Sequence, residues 1–399
     1  MKIAVIGGTG LIGSAIVAHL SSRGHSVVAM SRTAGDADPK ATPVDLNKAT
    51  SPSYWVHCLG GVEAVVNCAG VLQDSPKDSM SMVHHHGIAN LFAACEQLKI
   101  RRVIHFSAIG VDRETPSAFS ETKLSGDKAL MERNLDWIIL RPSVVIGRPA
   151  YGASALMRGL AALPAIPVMP NTGPLQIVLL EDVVRTVEHF LDPGAPTRKI
   201  VELVGPHRYS FLDVVALIRR WYRWPRAREV HLPKFASSVM YKFGDMTSLL
   251  GWRPPVRSNA EREIARGATG NLEDFQRLGL RPKGLPEFFA SEPASVQERW
   301  FARMYLLGVG LMREGGVEGS GAALTVVAGA LADLVIGLAI AYRPTSRCGL
   351  YAAIVISFTY AIIGTFLVPR LWADPLGPML KIWPIIVLHF VALAVLDDR

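Results

Sequence analysis

KIAVIGGTGLIGSAIVAHLSSRGHSVVAM, residues 2–30, is the stretch whose reading decides the fold. Lys2–Gly7 is a short apolar run rich in β-branched residues and reads as a buried parallel strand. GGTGLIG follows, with glycines at Gly7, Gly10 and Gly13. A helical period then runs through His19 and Leu20 and stops near Gly24, and Val27–Met30 reads as a second strand. Strand, glycine turn, helix, strand is the order of a dinucleotide-binding βαβ unit. Gly7 permits the tight turn, Gly10 lets backbone approach a pyrophosphate, and Gly13 lets the helix pack closely on the strand. Thr9, Leu11 and Ile12 complete the loop, and the free N–H groups at the helix start face the phosphates.

The next residues outward concern the choice of dinucleotide. An acid at the end of the second strand would hold the ribose 2′-hydroxyl of NAD(H). Here stand Ser31 and Arg32, with the nearest acid, Asp36, already in the loop. A guanidinium suits a 2′-phosphate, so NADP(H) is expected over NAD(H). VDL at 44–46 puts Asp45 near a strand end on the adenine side, and AVVNCAG at 64–70 reads as a strand followed by a small-residue turn, Ala69–Gly70, against the cofactor.

Beyond residue 80 helices and strands keep alternating: a helical period over Met80–Glu96, the strand RRVIHFSA, a helix over about 118–133, and the strand LDWIILRPS. This alternation predicts a doubly wound parallel α/β sheet, whose ligands bind at the carboxyl ends of the strands. Ser107 closes one such end. GGTGLIG, VVNCAG, VIHFSAIG, Lys123 and LRPSVVIG together resemble the extended or atypical short-chain dehydrogenases/reductases. Within them the chain is similar to the 39 kDa accessory subunit of respiratory complex I and to NmrA-type proteins. The resemblance covers residues 1 to about 290. It implies a Rossmann-type sheet with a small substrate lobe, and a catalytic set of Ser and Tyr-x-x-x-Lys. Ser107 and Lys123 match that set, and Lys123 would also hold the nicotinamide ribose. The tyrosine position holds Phe119, in AFSETK, and phenylalanine transfers no proton. Tyr151, in the next loop, is a candidate replacement.

Three consecutive histidines, His84, His85 and His86, point about 100° apart on a regular helix and cannot share one metal; one of them is expected to face the nicotinamide side. The four cysteines, Cys58, Cys68, Cys95 and Cys348, show neither C-x-x-C nor zinc spacing. Residues 151–297 resemble the substrate-side part of the same fold. Within them IRRWYRWPRAR, residues 218–228, mixes Trp221, Tyr222 and Trp224 with five arginines, and reads either as a membrane-interface motif or as a solvated helix end.

The chain has 399 residues, a formal charge of +8, and only 19% charged residues. Its mean hydropathy of +0.26 exceeds that of ordinary soluble chains. This composition excludes a disordered chain and a disulfide scaffold. The excess apolarity lies in the tail. Residues 321–399 hold nine charges in 79, and three segments, 320–342, 348–368 and 378–396, approach the roughly 20 residues of a membrane span. Asp333 and His389 fall mid-segment, where a carboxylate needs a partner. GALADLVIGLAIA and RLWADPLGPMLKIWP resemble the DoxX-like membrane domain. The expected organisation is therefore an NAD(P)-binding Rossmann domain at 1–150, a substrate-side part at 151–297, and an all-α transmembrane bundle at 298–399. The N-terminus carries no secretory pattern, so a multi-pass inner-membrane protein with its Rossmann domain in the cytoplasm is expected. Basic residues concentrate between His207 and Arg303, with 17 Lys and Arg against 10 Asp and Glu, and suit anionic lipid; no recognition motif for nucleic acid accompanies them. The expected activity is an NADP(H)-dependent oxidoreductase acting on a small lipophilic substrate, a quinone or isoprenoid. The alternative is a non-catalytic NAD(P)H-binding sensor or assembly factor for a membrane redox complex.

Overall fold

The computed structural model describes residues 1–32, 41–75, 78–113, 116–233, 258–305, 334–367 and 378–397, with isolated positions between 235 and 245 and at 332. The chain divides into two compact units, 1–302 and 303–399.

The first unit is built on seven parallel strands in the order β10-β6-β5-β4-β1-β2-β3. They are β1 (Lys2–Ile6), β2 (Ser26–Ser31), β3 (Thr42–Pro43), β4 (Ala64–Asn67), β5 (Arg102–Phe106), β6 (Asp136–Pro142) and β10 (Lys199–Leu203). The first strand lies near the centre, with Ile6 beside Met30 of β2 on one side and Asn67 of β4 on the other. Side chains alternate across a strand. Accordingly Ala4 and Ile6 enter the core with Trp55, Leu91 and Phe92, while Ile3 and Val5 enter the opposite core with Ile16, Val183 and Phe190. Helices α2 (Pro52–Cys58) and α3 (Gly87–Gln97) cover the first face; α1 (Leu11–Ser22) and α6 (Leu180–Leu191) cover the second. Both faces are buried, which is why β1 reads as continuous apolar sequence rather than as alternation.

The chain leaves β1 toward β2, and after β3 crosses back to place β4 on the other side of β1. That reversal opens a crevice at the carboxyl ends of β1 and β4. Helix α4 (Ala118–Met131) brings further side chains to the ends of β4 and β5. The lobe after β6 contains α5 (Gly152–Ala162), α7 (Phe211–Trp221) and two small parallel ladders, β11 (Arg228–His231) with β8 (Ala165–Val168) and β7 (Val145–Ile146) with β9 (Val178–Leu179).

Two expectations change. The continuous helix from Met80 is a π-helical turn, Met82–His86, leading into α3. In the 218–228 motif, Trp221 and Tyr222 are buried, and Trp221 stacks on Phe289, so these rings are core rather than an interfacial belt. Helices Ser346–Leu367 and Pro378–Asp397 coincide with two of the expected spans, but among the described residues no helix is long and apolar enough to cross a membrane. Most of the remaining segment, 320–342, and Asp333 lie outside the described residues, as does Asp36.

Candidate functional site

The glycine turn satisfies its backbone locally. The Gly7 and Gly8 N–H groups donate to Met30 O at 2.8 and 3.1 Å, tying the turn to the end of β2. Gly7 adopts φ +74°, where a side chain is strained. A Cβ on Gly13 would lie 2.2 Å from Gly7 O, so this glycine is required by helix-on-turn packing. Gly10 differs. Its φ is −75°, and a Cβ there would meet only Gly7 O, at 3.4 Å. The fold leaves open the space above Gly10, and α1 begins there with neither a side-chain cap nor an acid in its first turn. Unsatisfied helix-start N–H groups beside open space suit an anion. Thr9 is exposed, and Leu11 and Ile12 are half-buried beside it.

The other expected cofactor residues are occupied within the protein. Arg32, at the end of β2, pairs with the buried carboxylate of Asp78, and its side chain remains 40% exposed. Asp45 caps a short turn, its Oδ1 accepting Asn47 N–H at 3.0 Å. Ala69 O accepts from Lys123 Nζ at 3.3 Å, and a Cβ on Gly70 would come within 3.3 Å of the same nitrogen.

Lys123, on α4, is only 4% exposed. Its Nζ also donates to Phe106 O, at 2.9 Å, so the ammonium bridges the ends of β4 and β5. Burial pulls its pKa down to about 8, against the opposing pull of Asp127. Ser107 closes β5 as expected, but its hydroxyl donates into the buried carboxylate of Asp127 at 2.9 Å. Arg141, from the LRP stretch, holds Asp127 with Nη2 at 2.9 Å and Asp112 with Nη1 at 2.5 Å. Burial pushes the Asp127 carboxyl up, while Arg141 and Ser107 pull it back. His105 Nδ1 accepts from Asn67 Nδ2 at 3.0 Å, which leaves its Nε2 facing Asp127 Oδ1 at 3.5 Å.

One histidine of the triplet faces this site. His84 Nε2 accepts the Val71 N–H at 3.0 Å, so the ring proton sits on Nδ1 and points to Thr122 Oγ1 at 2.9 Å. Burial first, then the charge of Lys123, holds its pKa down at about 2, so the ring stays neutral. The π-helical turn sends His85 and His86 elsewhere, with His86 exposed and their rings 4.4 Å apart. Phe119 is half-buried and meets His84 edge-on, centroids 5.4 Å apart. No hydroxyl therefore stands four residues before Lys123. Thr122 Oγ1, the neighbouring candidate, lies 3.0 Å from both Ala118 O and Phe119 O and donates to the backbone. Tyr151 is exposed at the start of α5. At the α4 N-terminus, Ser117 and Ser120 donate to Glu263 at 2.5 and 3.0 Å, and Arg266 donates to Ser120 at 2.7 Å. The lobe helix Ser258–Arg266 is thus clamped to the turn that carries Phe119. The sequence reading missed Asp127, His105, Asn67 and Glu263. The i, i+4 spacing of Lys123 and Asp127 on α4 was the available signal for the first.

Comparisons with known proteins agree with this architecture. Residues 7–161 match the family described as NAD(P)H-binding, and residues 304–390 match the DoxX-like family. The first unit is thus a Rossmann-type parallel α/β fold that carries the NAD(P)H-binding match. It is 25% identical over 232 residues to the photosystem II assembly factor Ycf39 of Synechocystis, covering 55% of this chain and 67% of that protein. It is 24% identical over 269 residues to dihydroflavonol 4-reductase of Dianthus caryophyllus, covering 61% and 72%. With the NADH dehydrogenase 1 alpha subcomplex subunit 9 of Arabidopsis thaliana it shares 25% over 244 residues, covering 57% and 60%. The solved structure of MoeE5 with UDP-glucose and NAD superposes with a TM-score of 0.55 at 19% identity, covering 77% of this chain and all of that one, and so shares the fold.

Proposed function

We propose that this chain is a membrane-tethered NAD(P)H-binding protein that senses the dinucleotide or helps a membrane complex assemble, with the binding cleft kept and the proton donor lost. The observation that carries the reading is Phe119 in place of a hydroxyl, beside a Ser107 whose proton is committed to Asp127. Bound NAD(P)H would supply a hydride. Of the residues here, the glycine turn and the α1 start would hold its pyrophosphate, Arg32 a 2′-phosphate, Asp45 the adenine side, and Ala69, Gly70 and Lys123 the nicotinamide ribose. None of the nearby hydroxyls on α4 and β5 is free to deliver the proton that reduction of a carbonyl requires. Two relatives bear the names of an assembly factor and a respiratory-complex subunit, which agrees with such a role.

The tether rests on the DoxX-like match and on surface chemistry. Val355, Ile362, Leu388 and Val391 are all more than half exposed on the second unit's helices. An apolar exterior of this kind suits lipid. We place the unit in the inner membrane, with the N-terminal domain cytoplasmic and residues 151–297 forming the substrate side.

A second reading, an NADP(H)-dependent oxidoreductase of a quinone or isoprenoid, is favoured by Lys123. Burial lowers its pKa to about 8, so this ammonium gives up a proton more readily than an ordinary lysine. Resemblance to a dihydroflavonol reductase points the same way. Single-turnover oxidation of bound NADPH in detergent, against a panel of quinones and aldehydes, separates the two. Binding without turnover supports the first reading; rapid oxidation by any acceptor overturns it.

A further inference from the structure

The five arginines of residues 218–228 have divided tasks. Arg219 is buried and donates to Ala161 O at 2.7 Å and Leu163 O at 2.6 Å, which makes it a structural brace. Arg158, from α5, lies 5.2 Å over the Trp221 ring and donates to Gly147 O at 2.6 Å, bracing the same aromatic layer from within. Arg220, Arg223, Arg226 and Arg228 are exposed, and among the described residues none of the four side chains has an ion pair or hydrogen bond. Glu229 follows Arg228 in β11, but side chains of successive strand residues point to opposite faces. Arg220 and Arg223 stand on the rim of a groove of about 370 Å³, whose other walls include Leu217, Pro286, Phe289 and Pro293, over the edge of Trp221. The groove therefore has an apolar floor, held rigid by stacked rings, under a fork of cationic donors.

We propose that this groove binds the headgroup region of an anionic phospholipid. The arginines would take the phosphate, and the proline and phenylalanine walls would lie against the glycerol and upper acyl carbons. Charge selects the occupant. Unpaired guanidinium groups bind phosphate through bidentate geometry, and an arginine beside an anionic bilayer is worth about fivefold in partitioning. A neutral apolar peptide would leave the two cations on the rim, Arg220 and Arg223, without counter-charge. The inference deepens the membrane reading above, by giving the soluble unit its own lipid contact.

The test uses the full chain carrying an environment-sensitive fluorophore at Ala216→Cys, in a Cys348→Ser background. Ala216 is exposed and shares the α7 face of Arg220 at i, i+4 spacing. In nanodiscs containing phosphatidylglycerol the emission should shift to the blue and be quenched by brominated lipid, and in pure phosphatidylcholine it should not. Arg220→Ser with Arg223→Ser should weaken the response about 25-fold, and raised salt should suppress it. Equal emission in both lipids, or a response indifferent to the two substitutions, overturns the proposal and leaves an acidic protein partner as the better occupant. If the chain stays out of nanodiscs, the anchoring reading fails by itself. The same probe is then read with added vesicles: a phosphatidylglycerol-dependent shift upholds the groove, and its absence overturns it.

Discussion

At the β1 end of the cleft, Gly7, Gly10 and Gly13 keep side chains away; at the β5 end, Ser107 and Arg141 both bond Asp127, and Lys123 bonds the carbonyls of Ala69 and Phe106. The first end presents unused backbone donors to open space. At the second, the donors of Ser107, Arg141 and Lys123 are already engaged. Binding an anion needs vacant N–H groups, whereas transferring a proton needs a group free to part with one. A protein can therefore keep the first capacity after losing the second, because the two rest on different residues.

The sharpest way to break this comparison is Gly10→Val. The added side chain meets only Gly7 O in the fold, yet fills the open space above the turn. Nucleotide binding should vanish while the melting temperature stays near that of the parent; retained affinity in a fluorescence titration would show that the turn is merely structural. Gly13→Val, by contrast, should fail to fold, since its Cβ meets Gly7 O at 2.2 Å.

Phe119→Tyr sharpens the other end. A restored phenol four residues before Lys123 supplies a general acid, worth about 10²–10⁴ in rate. Carbonyl reduction should rise from near background by about a hundredfold or more. If it does not, and Tyr151→Phe abolishes an existing activity instead, the proton comes from Tyr151.

Arg32→Ala probes the specificity of the binding end. Loss of a hydrogen bond to a charged group costs about 1.5–3 kcal/mol, so NADPH affinity should fall about 10- to 150-fold while NADH affinity holds. An equal loss for both cofactors would remove Arg32 from the 2′-phosphate.

The smallest effect concerns His84. Its pKa is about 2 in the fold and near 6.5 in the unfolded chain, so below pH 6.5 the unfolded state binds the extra proton and stability falls as pH falls. His84→Gln removes that uptake. Between pH 6.5 and 5 the slope of unfolding free energy should flatten by up to about 1.4 kcal/mol per pH unit. An unchanged slope in urea titrations would mean that the ring is already protonated in the native state.

The same contrast governs what the sequence discloses. Glycine spacing is a local steric code, so the β1 end is readable from GGTGLIG alone. The β5 end depends on pairs brought together by the packing of α4 against the strand end and the π-helical turn: Ser107 with Asp127, 20 residues apart, and His84 with Thr122, 38 apart. Nothing in AFSETK announces that Ser117 and Ser120 are bound by Glu263 from a helix more than 140 residues later. The π-helical turn was invisible for a related reason. One extra residue in a turn shifts the apolar period without erasing it, so Val83 and Ile88 still reach the core while His84 swings toward Lys123. In the 218–228 motif, composition alone could not separate the arginines that brace Trp221 and its neighbours from those that face outward.

The central place of β1 has a consequence for biosynthesis. β1 precedes β2 and β4 and pairs with both, so the glycine turn and the small-residue turn at Ala69 meet once β4 has emerged. The sheet is complete at Leu203, a hundred residues before the DoxX-like segment begins. Domains fold as units in the order they leave the ribosome. The dinucleotide cleft can thus be formed, and even occupied, while the apolar tail is still being translated, so a ligand that stabilises the nascent domain acts before that tail is made.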